Sequence, residues 1–417
     1  MRRLSIEKVS IEEIAMKLGV GTVIKGGVQQ IVGRIRLTIQ LIDATTEQIR
    51  WAETYDRELT AENLFNIQSE LAEKISGSLR AELTSTEKTL VDERPTKNLA
   101  AYLLYTQGRS YLSQRTEQSI FKSLNLFRDA VKKDPEYANA WAGLAEALLL
   151  IKWYKYSTED ELRDPMEAIQ KALDLNSELG ETYCSLGIYH SYYQNGPEAI
   201  NALEKCIELQ PGYSEAYNWL GWLRMIMGDP AGGLEPAERA ARLDPLSPYT
   251  RVFLAVVYLA NNKYREALAE SMSARKIRPE FGLSHFVEGL SLYHLEKYSE
   301  AEFSLNESLS LESSNGSPIK NEAYATLALV KIANGNHREA RKLRDKVINN
   351  KDYFCAGLVE AALNNYEVAH SLFEKVEKFG AFTTPMCRYY FPNVLEPVRN
   401  NSRFNSLINK IHKSWNM

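Results

Sequence analysis

Small and apolar residues return along the middle of the chain at intervals of 34 residues, and each 34-residue segment closes on a proline. Glycine, alanine or serine at fixed offsets lets two antiparallel helices approach closely, while larger residues fill the adjoining grooves. The proline ends the second helix and starts the next segment. The pattern therefore predicts a mainly α-helical chain built from stacked helix pairs. The repeated positions are Leu186, Gly187, Ala199, Leu203, Cys206 and Pro211, then Leu220, Gly221, Gly233, Ala237, Ala240 and Pro245, then Leu254, Ala255, Ala267, Ser271, Ala274 and Pro279.

These offsets resemble those of the tetratricopeptide repeat (TPR), a helix-turn-helix unit with leucine-glycine at positions 7 and 8, alanine at 20 and 27, and proline at 32. Ala237 and Ser271 depart from the pattern, because the family places a large residue at position 24. Weaker units flank the three strict ones and give about eight over residues 100–380. The resemblance implies a right-handed TPR α-solenoid, and residues 381–417 are predicted to be a loop and a helix that caps it.

The first 90 residues do not repeat and are predicted to form a small α+β domain with an antiparallel sheet. Residues 34–42 alternate between apolar and polar positions, which is typical of a half-buried strand. Residues 11–84 resemble the second half of the TolB-amino-terminal or FlgO-like module, with RIRLTIQLIDA and WAETYDREL as the most specific parts. The first strand and helix of that module are absent, so either they are lost or Met1 is an internal start. The open sheet edge would allow a homodimer.

Candidate chemistry is sparse. Gly21 and Gly26 have P-loop spacing, but Gly27 stands where the phosphate-binding lysine belongs, so turns beside strands are the favoured interpretation. The histidines form no HExxH motif and the four cysteines form no CxxC pair. We therefore expect no catalytic residue, no metal and no cofactor, and a chain that is not an enzyme.

Charge and hydropathy exclude further classes. The 50 basic and 54 acidic residues leave a net charge of −4 without a basic block, so nucleic acid is not an expected partner. The longest apolar stretch, residues 252–260, is less than half of the roughly 20 residues that cross a bilayer. No uninterrupted apolar run opens the chain, and the spread of the cysteines fits a reducing cytoplasm.

The TPR resemblance also implies a binding groove lined by the first helices, at positions 2, 5, 9, 12 and 13 of successive units. These positions carry almost no cation here, so an apolar or aromatic protein segment is the expected ligand, with Trp222 and Tyr293 as anchors. The alternative is that these side chains pack against neighbouring helices or the amino-terminal domain. The predicted groove residues are Tyr192, Asn218, Trp222, Met225, Val256, Phe286, Leu290 and Tyr293.

Two functions remain open. The first is a cytoplasmic scaffold that recruits a protein or peptide by shape. The second is a regulatory fragment of a signalling protein, because the TolB-amino-terminal and TPR combination often accompanies class III nucleotide cyclase or winged-helix domains. Neither effector domain is present in this sequence, so their activities do not transfer to it.

Overall fold

The computed structural model describes residues 10–12, 15, 19–154, 164–311, 319–376, 389–399 and 401–414. Three strands come first: β1 (Thr22–Ile31), β2 (Arg34–Asp43) and β3 (Ile49–Glu58). The helices are α1 (Ala61–Ser78), α2 (Ser85–Asp92), α3 (Leu99–Leu112), α4 (Glu117–Lys133), α5 (Ala138–Tyr154), α6 (Pro165–Leu175), α7 (Gly180–Tyr192), α8 (Gly196–Leu209), α9 (Ser214–Ile226), α10 (Leu234–Leu243), α11 (Pro248–Ala260), α12 (Tyr264–Ile277), α13 (Gly282–His294), α14 (Tyr298–Leu311), α15 (Lys320–Ala333), α16 (His337–Asn349), α17 (Tyr353–Ala362), α18 (Tyr366–Glu374), α19 (Pro392–Arg399) and α20 (Ser402–Ser414).

The chain packs into two compact units. The first contains residues up to 114 together with 121–144 and 170–179, and the second contains 115–120, 145–169 and everything from residue 180 onward. The fold is a mainly helical repeat array preceded by a three-stranded antiparallel sheet, as the sequence predicts. Among the described residues, no helix is both long enough and apolar enough to span a membrane.

The sheet has the order β1-β2-β3, with both pairs antiparallel. Alternation in β2 follows the sequence pattern: Ile39 and Leu41 are buried, while Arg36 and Thr38 are exposed. Apolar side chains that alternate along a strand bury one face of a sheet and leave the other to solvent. Helix α1 packs against β3 and is held there by an ion pair between Arg57 and Glu70.

The expectation that Gly26 serves a turn is wrong. Gly26 and Gly27 lie inside β1, and Gly26 pairs with Ile39 of β2. A Cβ atom at Gly26 would lie 3.1 Å from the carbonyl oxygen of Thr38, so glycine allows a close approach of the two strands. Glycines are typical of turns, and for that reason the sequence pattern did not predict this strand.

Eight helix pairs follow within the described residues, from α3–α4 to α17–α18. The first helices of four consecutive pairs begin at Gly180, Ser214, Pro248 and Gly282, which are 34 residues apart as the repeat pattern predicts. Each of these helices packs against the second helix of its own pair.

Glycines at position 8 set the closeness of these pairs. A Cβ at Gly187 would lie 2.6 Å from Cγ of Leu203, and the same relation holds between Gly289 and Leu305. At Gly221 the second helix carries only Ala237 at the facing position, and the backbones close up instead. A Cβ there would lie 2.9 Å from the carbonyl oxygen of Gly233. The small residue at position 24 thus shortens the approach of the two helices.

Within the described part of residues 381–417, the structure has two helices, α19 and α20. Pro392 begins α19 and Pro397 lies inside it, so the predicted loop does not extend over residues 392–399. A proline at a helix start costs no hydrogen bond, since that amide has no intrahelical acceptor. Helix α20 packs on α18, where the rings of Phe404 and Phe373 meet edge to face at 5.3 Å.

Candidate functional site

The first helices α9, α11 and α13 lie side by side, and the surface that they present is called the first-helix face below. Six of the eight predicted groove residues are buried, with Trp222 5% exposed and Asn218 2% exposed. Tyr192 and Tyr293 are partly exposed. The buried ones are Asn218, Trp222, Met225, Val256, Phe286 and Leu290.

An aromatic cluster covers the middle of α9. Trp153, in the last turn of α5, meets the rings of Trp219 and Trp222 edge to face, with centroids 4.9 and 5.3 Å away. Tyr192 lies beside the same ring at 6.4 Å. Edge-to-face packing is a favoured arrangement of aromatic rings, so these side chains hold one another in place. Trp222 therefore packs against other aromatic residues of the second unit.

Buried charges lie near the amino-terminal ends of α9 and α11. The Arg115 guanidinium contacts the carboxylate of Glu215 and lies 3.4 Å from that of Glu146. The same guanidinium stands over the ring of Tyr249, 5.1 Å from its centroid. Trp219 Nε1 donates to Glu215 at 2.8 Å and ties the charges to the aromatic cluster. The side chains of Arg115 and Glu146 are only 5% and 3% exposed, so their charges depend on each other.

A run of three aromatic residues lies against the carboxy-terminal ends of α9, α11 and α13. It is called the aromatic triplet below and consists of Tyr389, Tyr390 and Phe391. The Tyr389 hydroxyl donates to the carbonyl oxygen of Met225 at 2.9 Å. The Tyr390 hydroxyl donates to the carbonyl oxygen of Val256 at 3.4 Å. Tyr390 and Phe391 are 1% and 2% exposed. The triplet thus lies over the carboxy-terminal ends of these three first helices.

Two side chains of α13 receive Phe391. Its ring lies 5.7 Å from the ring of Tyr293 and 5.9 Å from that of His294. His294 is also stacked on Tyr264 at 4.5 Å and forms a hydrogen bond with the backbone of Tyr390. Burial lowers the pKa of His294 to about 4 and raises the pKa of Tyr293 to about 12. Both side chains are therefore neutral at pH 7.

The repeat pattern predicted groove residues on the first helices, but it did not predict the side chains that pack over them. Trp222 and Tyr293 do pack against other side chains of the chain, as the alternative interpretation expects. Trp222 contacts Trp153, and Tyr293 contacts Phe391. Arg115 and the triplet carry no repeat signal in the sequence, because contacts such as Arg115–Glu215 and Tyr389–Met225 join residues 100 and 164 positions apart. The aromatic run at 389–391 is the one local hint.

No group of three or more His, Cys, Asp or Glu side chains within the described residues could hold a metal ion. The glycines at 26 and 27 lie in a β-strand instead of a phosphate-binding loop before a helix. Cys184, Cys206 and Cys355 are free and buried, and burial raises the pKa of the Cys184 and Cys355 thiols. Buried, protonated thiols are poor nucleophiles.

Comparison with known structures identifies the architecture. The crystal structure of the APC/C hetero-tetramer Cut9-Hcn1 superposes with a TM-score of 0.54, at 14% sequence identity, over 74% of this chain and 55% of that one. The helical array has the TPR fold. No protein-family model matches the chain.

Two curated relatives are similar in sequence to this TPR chain. A protein named Putative adenylate cyclase 3, from Rhizobium meliloti (strain 1021), is 30% identical over 194 residues, which is 46% of this chain and 33% of the relative. Superkiller protein 3 of Schizosaccharomyces pombe (strain 972 / ATCC 24843) is 24% identical over 281 residues, 57% of this chain and 20% of the relative. The chain spans a third or less of the length of these relatives.

Proposed function

We propose that the chain is a non-enzymatic scaffold that binds an apolar or aromatic segment of another protein on its first-helix face. The seating of the aromatic triplet is the observation that carries this proposal. The face accepts two tyrosines and a phenylalanine through ring contacts and main-chain carbonyls. A second protein with the same chemistry would find the same partners. A preformed array of packed helices lowers the ordering cost of such binding.

Affinity capture with substituted chains tests the scaffold. Immobilised wild-type chain and the Trp222→Ala variant are incubated with native-host extract, and retained proteins are quantified by mass spectrometry. We expect the substitution to weaken capture of the partner by about 2 kcal/mol. Because Trp222 packs on Trp153 and Trp219, circular dichroism must show unchanged helicity, and Tyr192→Ala gives a milder second variant.

Phe303→Ala is the matched control. Phe303 is 66% exposed on the second helix α14, beside a shallow depression lined by Arg275 and Glu288. Capture that survives Phe303→Ala but falls in Trp222→Ala supports the first-helix face. Capture that falls only in Phe303→Ala would assign the partner to the depression and contradict the proposal.

The similarity to an adenylate cyclase relative favours a second function, a regulatory part of a signalling protein. The sheet and α1 would then be a TolB-amino-terminal or FlgO-like module working with an effector domain. This candidate predicts that an antibody against the chain detects a longer product in the native host, and that the chain alone forms no cyclic AMP from ATP and Mg²⁺. A native product of the same mass as this chain would count against it.

A cytoplasmic location fits either function. Within the described residues, Cys184, Cys206 and Cys355 are free thiols, which is compatible with a reducing compartment. Fractionation of native cells would test it, and recovery in the periplasm would contradict it.

A further inference from the structure

We propose that the aromatic triplet is an intramolecular ligand of the first-helix face, and that an external partner must displace it with aromatic side chains of the same kind. The inference rests on the proposed function, since it names both the resident occupant of the binding face and the chemistry of its competitor.

The contacts of the triplet have the form of ligand recognition. Its two hydroxyls donate to main-chain carbonyl oxygens of α9 and α11, and the Met225 carbonyl oxygen accepts the Tyr389 hydroxyl in addition to the Gly228 amide at 3.1 Å. Phe391 uses ring contacts alone. None of these interactions depends on covalent continuity between the triplet and the face, so a separate peptide can reproduce them.

The face beneath the triplet is apolar and deep. Val256 of α11 and Leu290 of α13 are 2% and 0% exposed, and the Val256 carbonyl oxygen accepts the Tyr390 hydroxyl. Exposed apolar surface of this kind is costly in water, so the face is expected to be occupied at all times. Occupation by the triplet in the resting chain keeps the face covered until a partner of higher affinity arrives.

Tethering gives the triplet an advantage over any free peptide. A ligand covalently joined to its site acts at an effective concentration of about millimolar. A free peptide of the same sequence therefore competes poorly with the intact chain. It should bind well only when the tethered copy is weakened.

The test uses the full chain and a fluorescein-labelled peptide of residues 388–394, RYYFPNV. Binding is measured by fluorescence anisotropy to the wild type, to Tyr390→Ala/Phe391→Ala and to Tyr389→Phe/Tyr390→Phe. The second variant loses only hydroxyls and retains the rings, so it reports even if the alanine variant fails to fold. Phe303→Ala is the control with an intact triplet.

We expect a Kd for the alanine variant at least about tenfold lower than for the wild type, and a smaller gain for the phenylalanine variant. Phe303→Ala should match the wild type. Equal peptide binding to all four chains would overturn the inference, because the tethered triplet would then not compete. Absence of binding to the folded variants would also overturn it, since the triplet would not be a ligand.

These failures are separable from failure of the scaffold. If the peptide experiment fails, the wild-type chain can still capture a host partner. If the wild-type chain captures no host partner, the proposed function itself is wrong. Light scattering covers one further outcome. A dimer that dissociates when Tyr390 and Phe391 are replaced would assign the triplet to the face of a second copy, and would overturn the intramolecular arrangement.

Discussion

At the scale of residues, the first-helix face is held by a few side chains that come from distant parts of the sequence. His294 is the clearest case, because it lies between Tyr264 and Phe391 and bonds to the backbone of Tyr390. The facing titratable groups are the phenols of Tyr264 and Tyr293, which are neutral at pH 7. Neither phenol is an anion at pH 7, and burial keeps His294 neutral.

This environment predicts acid sensitivity. Since the folded pKa of His294 is about 4 and the ordinary value is 6.5, its contribution to stability is complete above pH 6.5 and is lost as the pH falls from 6.5 toward 4. We expect a loss of about 2 kcal/mol in the free energy of unfolding between pH 7.5 and pH 5 from this group. Urea unfolding at both pH values measures it. In His294→Gln the pH dependence should shrink by that amount, and an unchanged dependence would contradict the assignment.

The buried cluster at Arg115 predicts a larger effect. Arg115→Met leaves the carboxylates of Glu146 and Glu215 without their cation, and removal of one buried partner costs about 3 kcal/mol. Lys205→Met is the control, because its pair with Glu208 is 42% and 69% exposed and should be worth less than about 0.5 kcal/mol. Similar urea midpoints for the two variants would contradict the burial of this cluster.

At the scale of elements, small residues decide how closely the helices of a pair approach. Gly187→Ala would bring a Cβ to 2.6 Å from Leu203, whose side chain can move in part. Gly221→Ala would bring one to 2.9 Å from the Gly233 carbonyl, which is backbone. We expect both to destabilise the chain by about 1 to 3 kcal/mol despite the better helix propensity of alanine, with Gly221→Ala the worse.

Thermal unfolding compares these variants with Gly212→Ala. No atom lies within 4 Å of a Cβ at Gly212, so that variant should match the wild type. A neutral Gly221→Ala would show that the helices of this pair are farther apart than described.

The edge strand β1 predicts association. Val28 and Ile31 are 62% and 57% exposed on a strand whose outer edge has no neighbouring strand within the described residues. Open edges pair with other chains unless charge blocks them. We expect light scattering to show a dimer, Val28→Lys to dissociate it, and Val368→Lys on α18 to leave it intact. A wild-type chain that is monomeric at all concentrations would contradict dimerisation through β1.

At the scale of the whole molecule, the repeated helix pairs could be predicted from the sequence, whereas contacts that occur only once could not. The 34-residue spacing located the starts of α7, α9, α11 and α13, because close packing of neighbouring helices forces the same residue types to recur. Alternation found β2, but glycines inside β1 concealed that strand. The 34-residue period also predicted the first-helix face, because the same position in successive units lies on the same side of the stacked helices.

Coverage of the face could not be predicted in this way. Trp153, Arg115 and the aromatic triplet reach it through contacts that occur once, and a single contact leaves no period in a sequence. These contacts join distant segments of the chain to the first-helix face.

Hydrogen exchange of the chain alone and with its captured partner tests this account most directly. If the partner displaces the triplet, it raises exchange in residues 389–399 while the carboxy-terminal ends of α9, α11 and α13 remain protected. Protection confined to the second helices α10, α12 and α14, with exchange in residues 389–399 unchanged, would contradict it.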